Sequence, residues 1–430
     1  MRNHLWLILP LATLSLLGGC AKQPPPAPAP AAKAAAPAQP SLSAEDVAAI
    51  RGQMHTLVDS KQAAGIVTLV VHDGKPIFED AYGLADTEKG KAMQLDTVGA
   101  IASMTKPVTG VAMMILYEQG LWALDDPITK FVPEFANLKV MGEDGKLVAP
   151  AHTPTMRELM SHSAGFTYGV FDTKPVDLLY QKANPIDPNS TLTKMIGKLA
   201  KLPLKSQPGT KWEYSVSVDI QGYILQKLSG MPYDVFVREK VLKPLKMNDT
   251  DFAVTGPARE RLAYPHAPDA AGELKPALPP GGRDAVARKV PSLPSPGGAL
   301  YSTVGDYARF SQMLLNGGEL DGVRLLRPET VALMHQNALP EGVFVGFAGP
   351  KTGFGLDFAV AGDPINTGEP WPFGTYYWSG IFGSYFWIDP VNNLIVVGLI
   401  QRQWVPGSDP SGTLVARNAA SKAIYTALKD

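Results

Sequence analysis

The sequence predicts a mixed α/β fold of the α+β type, in which one antiparallel sheet is flanked by helices and a mainly helical region is inserted. Strand patterns occur early, at residues 65–82, and again between residues 354 and 401. Between them, residues 170–250 show mainly helical patterns interrupted by prolines. Two groups of strands far apart in a sequence share one core when they join in a single sheet, and the segment between them is then an insertion.

Composition limits the possible classes of function. The chain has 430 residues, of which 45% are hydrophobic and 18% are charged, as in ordinary globular proteins. The formal net charge of −1 argues against a polyanionic partner, so no nucleic acid is expected. A single cysteine excludes an internal disulfide, and no cysteine and histidine cluster has zinc spacing. We therefore expect no metal and no other cofactor.

Residues 1–20 have the pattern of an export signal. Arg2 gives a positive start, and the apolar core at residues 5–17 is too short to span a bilayer. The core ends in small residues directly before Cys20, a pattern that resembles a bacterial lipobox, in which the cysteine is lipidated. Membrane lipid attached through Cys20 would place the protein in the cell envelope, on the periplasmic side, and the following Ala21 favours the outer membrane. The alternative is an ordinary cleavable signal with an incidental cysteine.

The rest of the chain divides into a linker and one folded domain. Residues 21–42 are mostly proline and alanine, cannot form a core and are expected to be extended. The folded domain is expected at residues 43–430. Its sheet region covers about residues 43–135 and 298–430, and its helical region about residues 136–297.

The elements of this domain follow from local signals. Ser43 is a plausible N-cap for a helix that runs to about residue 62. Asp73-Gly74 is a hairpin turn signal between strands at residues 65–71 and 77–82. Residues 255–297 are rich in proline and glycine, which indicates a long irregular excursion. The other expected elements are a helix end and turn at residues 153–166, a helix at 303–316, strands at 354–360, 376–388 and 394–401, and a last helix at 411–428.

Ser103 is the only serine in the chain with a lysine three residues after it. On a helix this spacing places Ser103 and Lys106 on one face, one turn apart. A serine hydroxyl becomes a good nucleophile when a nearby base takes its proton, and a lysine does so only when it is neutral, a form that burial favours. The alternative is a surface serine with a solvated lysine.

The residues after this pair favour the catalytic interpretation. Pro107 is tolerated only in the first turn of a helix, so the helix should begin near Ser103, with the hydroxyl at the positive end of the helix dipole. The long apolar run at residues 108–121 is typical of a buried helix.

Two further segments can complete an acyl-transfer site. Tyr214 lies in a Pro-Gly-x-x-Trp-x-Tyr-Ser stretch, and a tyrosine held beside a lysine can share one proton with it. Trp378-Ser379-Gly380-Ile381 can supply a strand edge whose backbone N–H, together with that of Ser103, would stabilise an oxyanion. The alternatives are a tyrosine with a packing role and an aromatic strand of the core.

These three segments, in this order, resemble the motifs of the serine β-lactamase and penicillin-binding-protein superfamily, and most closely the class C β-lactamases and the family VIII carboxylesterases. The Ser-His-Ser-Ala-Gly and Tyr-Phe-Trp-Ile-Asp-Pro stretches add to the likeness. The resemblance implies a β-lactamase/transpeptidase-like fold. It also implies the roles of the residues: Ser103 as the acylated nucleophile, Lys106 as its base, Tyr214 as the proton shuttle, the N–H groups of Ser103 and Ile381 as the oxyanion hole, and Trp378, Ser379 and Gly380 as substrate-binding residues.

Two departures from the β-lactamase pattern favour an ester substrate. Val216 stands where these β-lactamases have an asparagine, and Trp378 stands where they have a lysine that helps to bind the carboxylate of the drug. The site therefore fits a neutral ester better than an anionic lactam, and a small-molecule ester or amide is the expected substrate. We expect a serine hydrolase of carboxylic esters (EC 3.1.1). The alternatives are a β-lactamase (EC 3.5.2.6) or a D-amino-acid peptidase acting at the cell wall, and a non-catalytic binding lipoprotein of the envelope.

Other signals carry less weight. Lys351-Thr352-Gly353 has the letters of the third β-lactamase motif, but it lies before an earlier strand and is interpreted as a chance match in a loop. No Gly-x-Ser-x-Gly elbow is present. His162 is expected to be a hydrogen-bonding residue at a helix end and not the base of a triad. Asp219, Asp306 and Asp389 are expected to be caps and turn residues.

Overall fold

A computed structural model describes residues 42–346, 351–362, 370–403 and 412–428 of the chain. The predicted signal with Cys20 and all of the predicted linker except residue 42 lie outside the described residues. In the part of the chain that is described, no helix is long and apolar enough to cross a membrane.

The centre of the domain is an eight-stranded antiparallel sheet. Its strands, numbered along the chain, are β1 (Gly65–His72), β2 (Lys75–Asp86), β3 (Lys91–Ala92), β12 (Gly353–Phe354), β13 (Ala359–Val360), β14 (Tyr376–Ser379), β15 (Tyr385–Asp389) and β16 (Leu394–Ile400). Their order across the sheet is β12-β13-β14-β15-β16-β1-β2-β3. The intervening strands form four small ribbons: β4 (Gly99–Ala100) with β9 (Tyr301–Ser302), β5 (Val140–Met141) with β6 (Leu147–Val148), β7 (His266–Pro268) with β8 (Leu274–Pro276), and β10 (Glu319–Leu320) with β11 (Val323–Arg324).

The early and late parts of the domain are joined by the pairing of β1 with β16. These two strands pair antiparallel from Ile66 opposite Ile400 to His72 opposite Leu394. Every residue of both strands is buried, which places them in the middle of the core. The predicted sheet, built from both ends of the domain, is confirmed.

The helices cover the sheet and form the inserted region. In the described residues they are α1 (Ala44–Asp59), α2 (Thr105–Glu118), α3 (Met156–Met160), α4 (Pro175–Ala183), α5 (Leu192–Leu199), α6 (Ser217–Ser229), α7 (Tyr233–Val237), α8 (Val304–Leu315), α9 (Pro328–Met334) and α10 (Gly412–Ala427). Helices α1 and α10 contact each other and the sheet, and α8 packs on β1 and β16. Ser43 is the N-cap of α1, as the sequence predicted, and it forms a reciprocal capping box with Asp46.

Two segments predicted as single strands are hairpins. The segment 354–360 contains the turn between β12 and β13, and the segment 376–388 contains the turn between β14 and β15. The turns depend on left-handed backbone at Asp357 (φ 67°) and Gly383 (φ 95°). The prediction was wrong because the apolar and aromatic side chains continue through both turns, so that the sequence pattern gives no sign of the reversal.

The predicted excursion at residues 255–297 is mostly irregular, apart from the ribbon of β7 and β8 and two short 3₁₀ turns. Arg283 joins it to the sheet through an ion pair with the buried Asp86, at 2.6 Å. The end of the excursion packs against the start of α2, where the hydroxyl of Thr109 donates a hydrogen bond to the carbonyl of Pro296 at 2.7 Å. This contact brings the last loop of the excursion beside the Ser-x-x-Lys segment.

Candidate active site

The nucleophile candidate lies in a tight turn that leads into a buried helix. Residues Ala102–Met104 form a 3₁₀ turn, and α2 begins directly afterwards at Thr105. Ala102 has a φ of 43°, a left-handed conformation that alanine seldom adopts, and it is buried. The turn is supported by the hydroxyl of Tyr307, which donates to the carbonyl of Met104 at 2.9 Å. The helix therefore begins next to Ser103, as the position of Pro107 predicted.

Lys106 is buried and contacts the serine. Only 1% of its surface is exposed, so the alternative of a solvated lysine is excluded. Its Nζ lies 3.2 Å from Oγ of Ser103 and donates to the carbonyl oxygen of Gly297 at 2.7 Å. The serine and the lysine are thus within the distance needed for proton transfer.

Tyr214 lies beside the same amine. The Nζ of Lys106 is 4.7 Å from the centroid of the Tyr214 ring and 5.2 Å from that of Tyr168. The phenol oxygen of Tyr214 accepts a hydrogen bond from Nε1 of Trp378 at 3.3 Å. The structure therefore brings the three segments singled out in the sequence together in one place, although the roles of the individual residues stay predictions.

His162 supports Tyr214 and does not act as an isolated base. It follows α3 with a φ of 57°, its Nδ1 lies 3.1 Å from Oγ of Ser215, and its carbonyl accepts the N–H of Glu213. The centroids of its ring and the Tyr214 ring are 5.0 Å apart. Burial, with a smaller effect of Lys106, lowers the pKa of His162 well below its usual value. A hydrogen-bonding histidine at a helix end is what the sequence predicted.

Aromatic side chains form one wall of the site. Pairs of rings within this group lie 5.3 to 6.3 Å apart, and their edges and faces alternate. The members are Tyr168, Phe171, Trp212, Tyr214, Phe354 and Trp378. Such a wall offers a substrate an apolar surface, with the O–H and N–H groups of tyrosine and tryptophan as its polar groups.

The third motif, Trp378-Ser379-Gly380, approaches the turn that carries Ser103 (the nucleophile turn, Ala102–Met104) through its glycine. A Cβ at Gly380 would overlap the carbonyl oxygen of Ile101 and the hydroxyl of Ser384. That hydroxyl donates to the same Ile101 carbonyl at 3.2 Å. Trp378 and Ser379 end β14, whereas Gly380 and the half-exposed Ile381 lie in the turn that follows. The prediction that all four residues lie inside a strand was wrong, but the close approach that glycine permits is present.

Asp219 belongs to the site, and the sequence analysis missed it. This buried residue of α6 was predicted to be a cap or turn residue, which is wrong. Its Oδ1 accepts the hydroxyl of Ser295 at 2.5 Å and the N–H of Gly297 at 3.2 Å. Because the carbonyl of Gly297 accepts the hydrogen bond from Lys106, Asp219 orients the loop that orients the lysine. Burial raises the pKa of Asp219, while Lys106 and the hydrogen-bond donors oppose this shift.

The Lys-Thr-Gly letters and Asp389 lie where they were expected. Lys351 is exposed and comes before β12, which is separated from β14 by β13, so the Lys-Thr-Gly letters are not on the strand of the third motif. Asp389 accepts the N–H groups of the turn after β15. Asp306 lies in the first turn of α8, but its carboxylate accepts the N–H of Asp249 and the hydroxyl of Thr250, so the prediction of a cap was wrong there too. In the described part of the chain, no three His, Cys, Asp or Glu side chains are grouped so that they could hold a metal ion.

Comparison with known proteins identifies the family. The family model described as Beta-lactamase matches residues 49–421, so the chain belongs to this family. Protein Rv1367c of Mycobacterium tuberculosis is 34% identical over 370 residues, which cover 82% of this chain and 89% of that protein. Esterase EstB of Burkholderia gladioli is 28% identical over 404 residues, covering 90% and 98% of the two chains. The solved structure of EstCE1, described as a hydrolase with promiscuous acyltransferase activity, superposes with a TM-score of 0.74 at 27% identity, covering 88% and 99%.

The fold and these relatives define the class of protein. The chain has the β-lactamase/transpeptidase-like fold, a large antiparallel sheet flanked by helices. Within the serine β-lactamase and penicillin-binding-protein superfamily, it is related to the class C-like family VIII esterases. It is a serine hydrolase of esterase-like type.

A substitution at Gly380 tests the contact between the third motif and the nucleophile turn. Gly380→Ala should slow the labelling of Ser103 by a fluorophosphonate at least about tenfold, because the new methyl group must push the turn after β14 away from Ile101. The rate is measured by mass spectrometry of the intact protein. Gly52→Ala in α1 is the matched control, since no atom lies within 4 Å of its Cβ position. Equal labelling rates in the two variants would contradict the assignment.

Proposed function

We propose that the protein hydrolyses carboxylic esters (EC 3.1.1) through an acyl-enzyme on Ser103. The observation that carries this proposal is the 3.2 Å contact between Oγ of Ser103 and Nζ of the buried Lys106. A serine with a buried amine in contact meets the basic requirement for nucleophilic catalysis. Esterases among the relatives support the choice of substrate.

The proposed reaction has two halves. In the first, the neutral amine of Lys106 takes the proton of Ser103 while Oγ attacks the carbonyl carbon of the ester. Tyr214 then passes a proton to the departing alkoxide, which leaves as the alcohol. In the second, water attacks the acyl-enzyme, its proton returns through the tyrosine and lysine pair, and the acid leaves as Ser103 regains its proton. The N–H groups of Ser103 and Ile381 stabilise the oxyanion in both halves.

Two side chains favour a neutral substrate. Val216 is buried and apolar where the related β-lactamases have an amide. Trp378 donates its indole N–H to the phenol oxygen of Tyr214, so the third motif stabilises a developing phenolate without a full positive charge. A substrate carboxylate would find neither a lysine at residue 378 nor an amide at residue 216. The β-lactamase and D-amino-acid peptidase activities are therefore the second choice, and non-catalytic binding is the third.

Attachment to the cell envelope is a separate proposal. Cys20, at the end of the apolar signal core, would carry lipid on the periplasmic side of the outer membrane, and residues 21–42 would separate the domain from the lipid surface. Cells that produce the protein should incorporate labelled palmitate into it, and Cys20→Ala should abolish this incorporation. Absence of label in the natural sequence would contradict lipid attachment.

Turnover of a chromogenic short-chain ester tests the proposed activity. Ser103→Ala should lower kcat by about 10⁴-fold or more because the nucleophile is absent. Tyr214→Phe should lower it about 10²-fold to 10⁴-fold because the proton relay is lost. Tyr117→Phe in α2 is the control for loss of a phenol and should retain turnover. Undiminished hydrolysis by Ser103→Ala would falsify the proposal.

Exchange of the two departing residues tests the reason for ester preference. The double variant Trp378→Lys with Val216→Asn supplies a cation and an amide, so the ratio of nitrocefin turnover to ester turnover should rise at least about tenfold. Both rates are measured on the same preparations. The single Val216→Asn variant serves as the reference. An unchanged ratio in the double variant would mean that these positions do not set the preference.

A further inference from the structure

A second buried aspartate lies near Lys106, and the proposed reaction does not use it. Asp357 is in the turn between β12 and β13, none of its surface is exposed, and its φ is 67°. Its N–H donates to the carbonyl of Met160, the last residue of α3, at 3.0 Å. Left-handed backbone is uncommon at residues other than glycine, although aspartate adopts it more often than most, and such residues occur frequently at functional sites.

The hydrogen bonds around Asp357 do not suit a carboxylate. Its Oδ1 accepts Nε2 of Gln221 at 3.0 Å, but its Oδ2 is buried and has no donor. Oε1 of the same Gln221 amide is also buried and has no donor. One proton on Oδ2 would satisfy both oxygens, because the acid O–H would donate to Oε1 while Oδ1 accepts Nε2. Asp219 differs, since its oxygens accept from Ser295, Gly297 and Tyr168, as a carboxylate requires.

Asp357 lies close enough to α2 that the charge of its carboxyl would act on Lys106. A Cβ on Gly110 of α2, one turn after Lys106, would lie 3.0 Å from Oδ2 of Asp357. Three titratable groups interact with the carboxyl of Asp357. They are Lys106 of α2, Tyr233 of α7 and Tyr168 of the loop after α3. Burial raises the pKa of Asp357 well above its usual value, and Gln221 and Lys106 only partly oppose this effect.

We propose that Asp357 is held as the neutral acid and forms a cyclic hydrogen-bonded pair with the amide of Gln221. The pair joins the β12–β13 turn to α6 and lies next to α2. Because Asp357 is neutral, it does not add a second negative charge near Lys106 to that of Asp219. A negative charge at Asp357 would favour the ammonium form of Lys106, which cannot take the proton of Ser103. Asp357 is therefore a positioning residue, and only this consequence for Lys106 rests on the proposed function.

Unfolding at different pH values tests whether Asp357 is neutral. In the unfolded chain an aspartate ionises above about pH 4, whereas the folded chain would keep the proton. Unfolding then releases one proton, so stability is highest at low pH and falls as the pH rises towards the folded pKa. Asp357→Asn can form the same cyclic pair with no proton to lose. The unfolding constant of the natural protein relative to this variant should rise about tenfold per pH unit between about pH 5 and pH 7.

The control is Asp389→Asn, because Asp389 is buried but accepts donors on both oxygens. The unfolding constant of the natural protein relative to Asp389→Asn should not rise with pH in this range. A ratio for Asp357→Asn that is also independent of pH would overturn the inference. If Asp357→Asn does not fold, the infrared difference spectrum between the natural protein and Asp357→Leu at pH 7 decides: a protonated carboxyl band that the variant lacks supports the inference, and the absence of such a difference overturns it.

The labelling of Ser103 by a fluorophosphonate tests the positioning role. Asp357→Leu leaves the Gln221 amide without its pair and should slow labelling at least about tenfold, whereas Asp357→Asn should recover most of the rate. Equal rates in the Leu and Asn variants would overturn the positioning role. The unfolding experiment does not depend on catalysis. A protein that fails to hydrolyse esters could therefore still hold Asp357 as the neutral acid, and the two failures can be told apart.

Discussion

The site depends on how the amine of Lys106 is buried. A buried amine is costly unless its hydrogens have partners, and here they have the hydroxyl of Ser103 and the carbonyl of Gly297. The carbonyl is in place because the N–H of Gly297 donates to Asp219, which in turn lies on the helix that follows Tyr214. One chain of hydrogen bonds therefore connects the nucleophile turn, the end of the irregular excursion and α6. The position of the amine beside the serine therefore depends on this connection as well as on the Ser-x-x-Lys spacing.

The sheet brings distant parts of the chain to that amine. The pairing of β1 with β16 joins the two ends of the domain, and β14 and β15 then lie near the turn that carries Ser103. Gly380 allows the hairpin to reach the backbone of Ile101, which a side chain would prevent. Trp378 reaches Tyr214 from this hairpin, with its indole N–H donated to the phenol oxygen and its ring centroid 5.3 Å from that of the tyrosine.

The features that could be predicted from the sequence have local causes. The capping box at Ser43, the hairpin at Asp73-Gly74 and the helix start near Pro107 follow from the preferences of a few neighbouring residues. The Ser103, Lys106 and Tyr214 group was found because its spacing and order are distinctive. Asp219 and Asp357 were missed, because their significance comes from contacts with residues far along the chain, such as Gly297 with Asp219. The two hairpins were missed because their left-handed residues, Asp357 and Gly383, lie within runs of apolar and aromatic residues, so the reversals leave no mark on the hydrophobic pattern.

The central claim is that the neutral amine of Lys106 takes the proton of Ser103. The most direct test is the rate at which a p-nitrophenyl ester acylates Ser103 in the natural protein and in Lys106→Met, followed by rapid quench and mass spectrometry. Methionine fills a similar volume but accepts no proton, so the acylation rate should fall about 10²-fold to 10⁴-fold while the variant remains folded. Acylation of a folded Lys106→Met variant at the rate of the natural protein would contradict the claim.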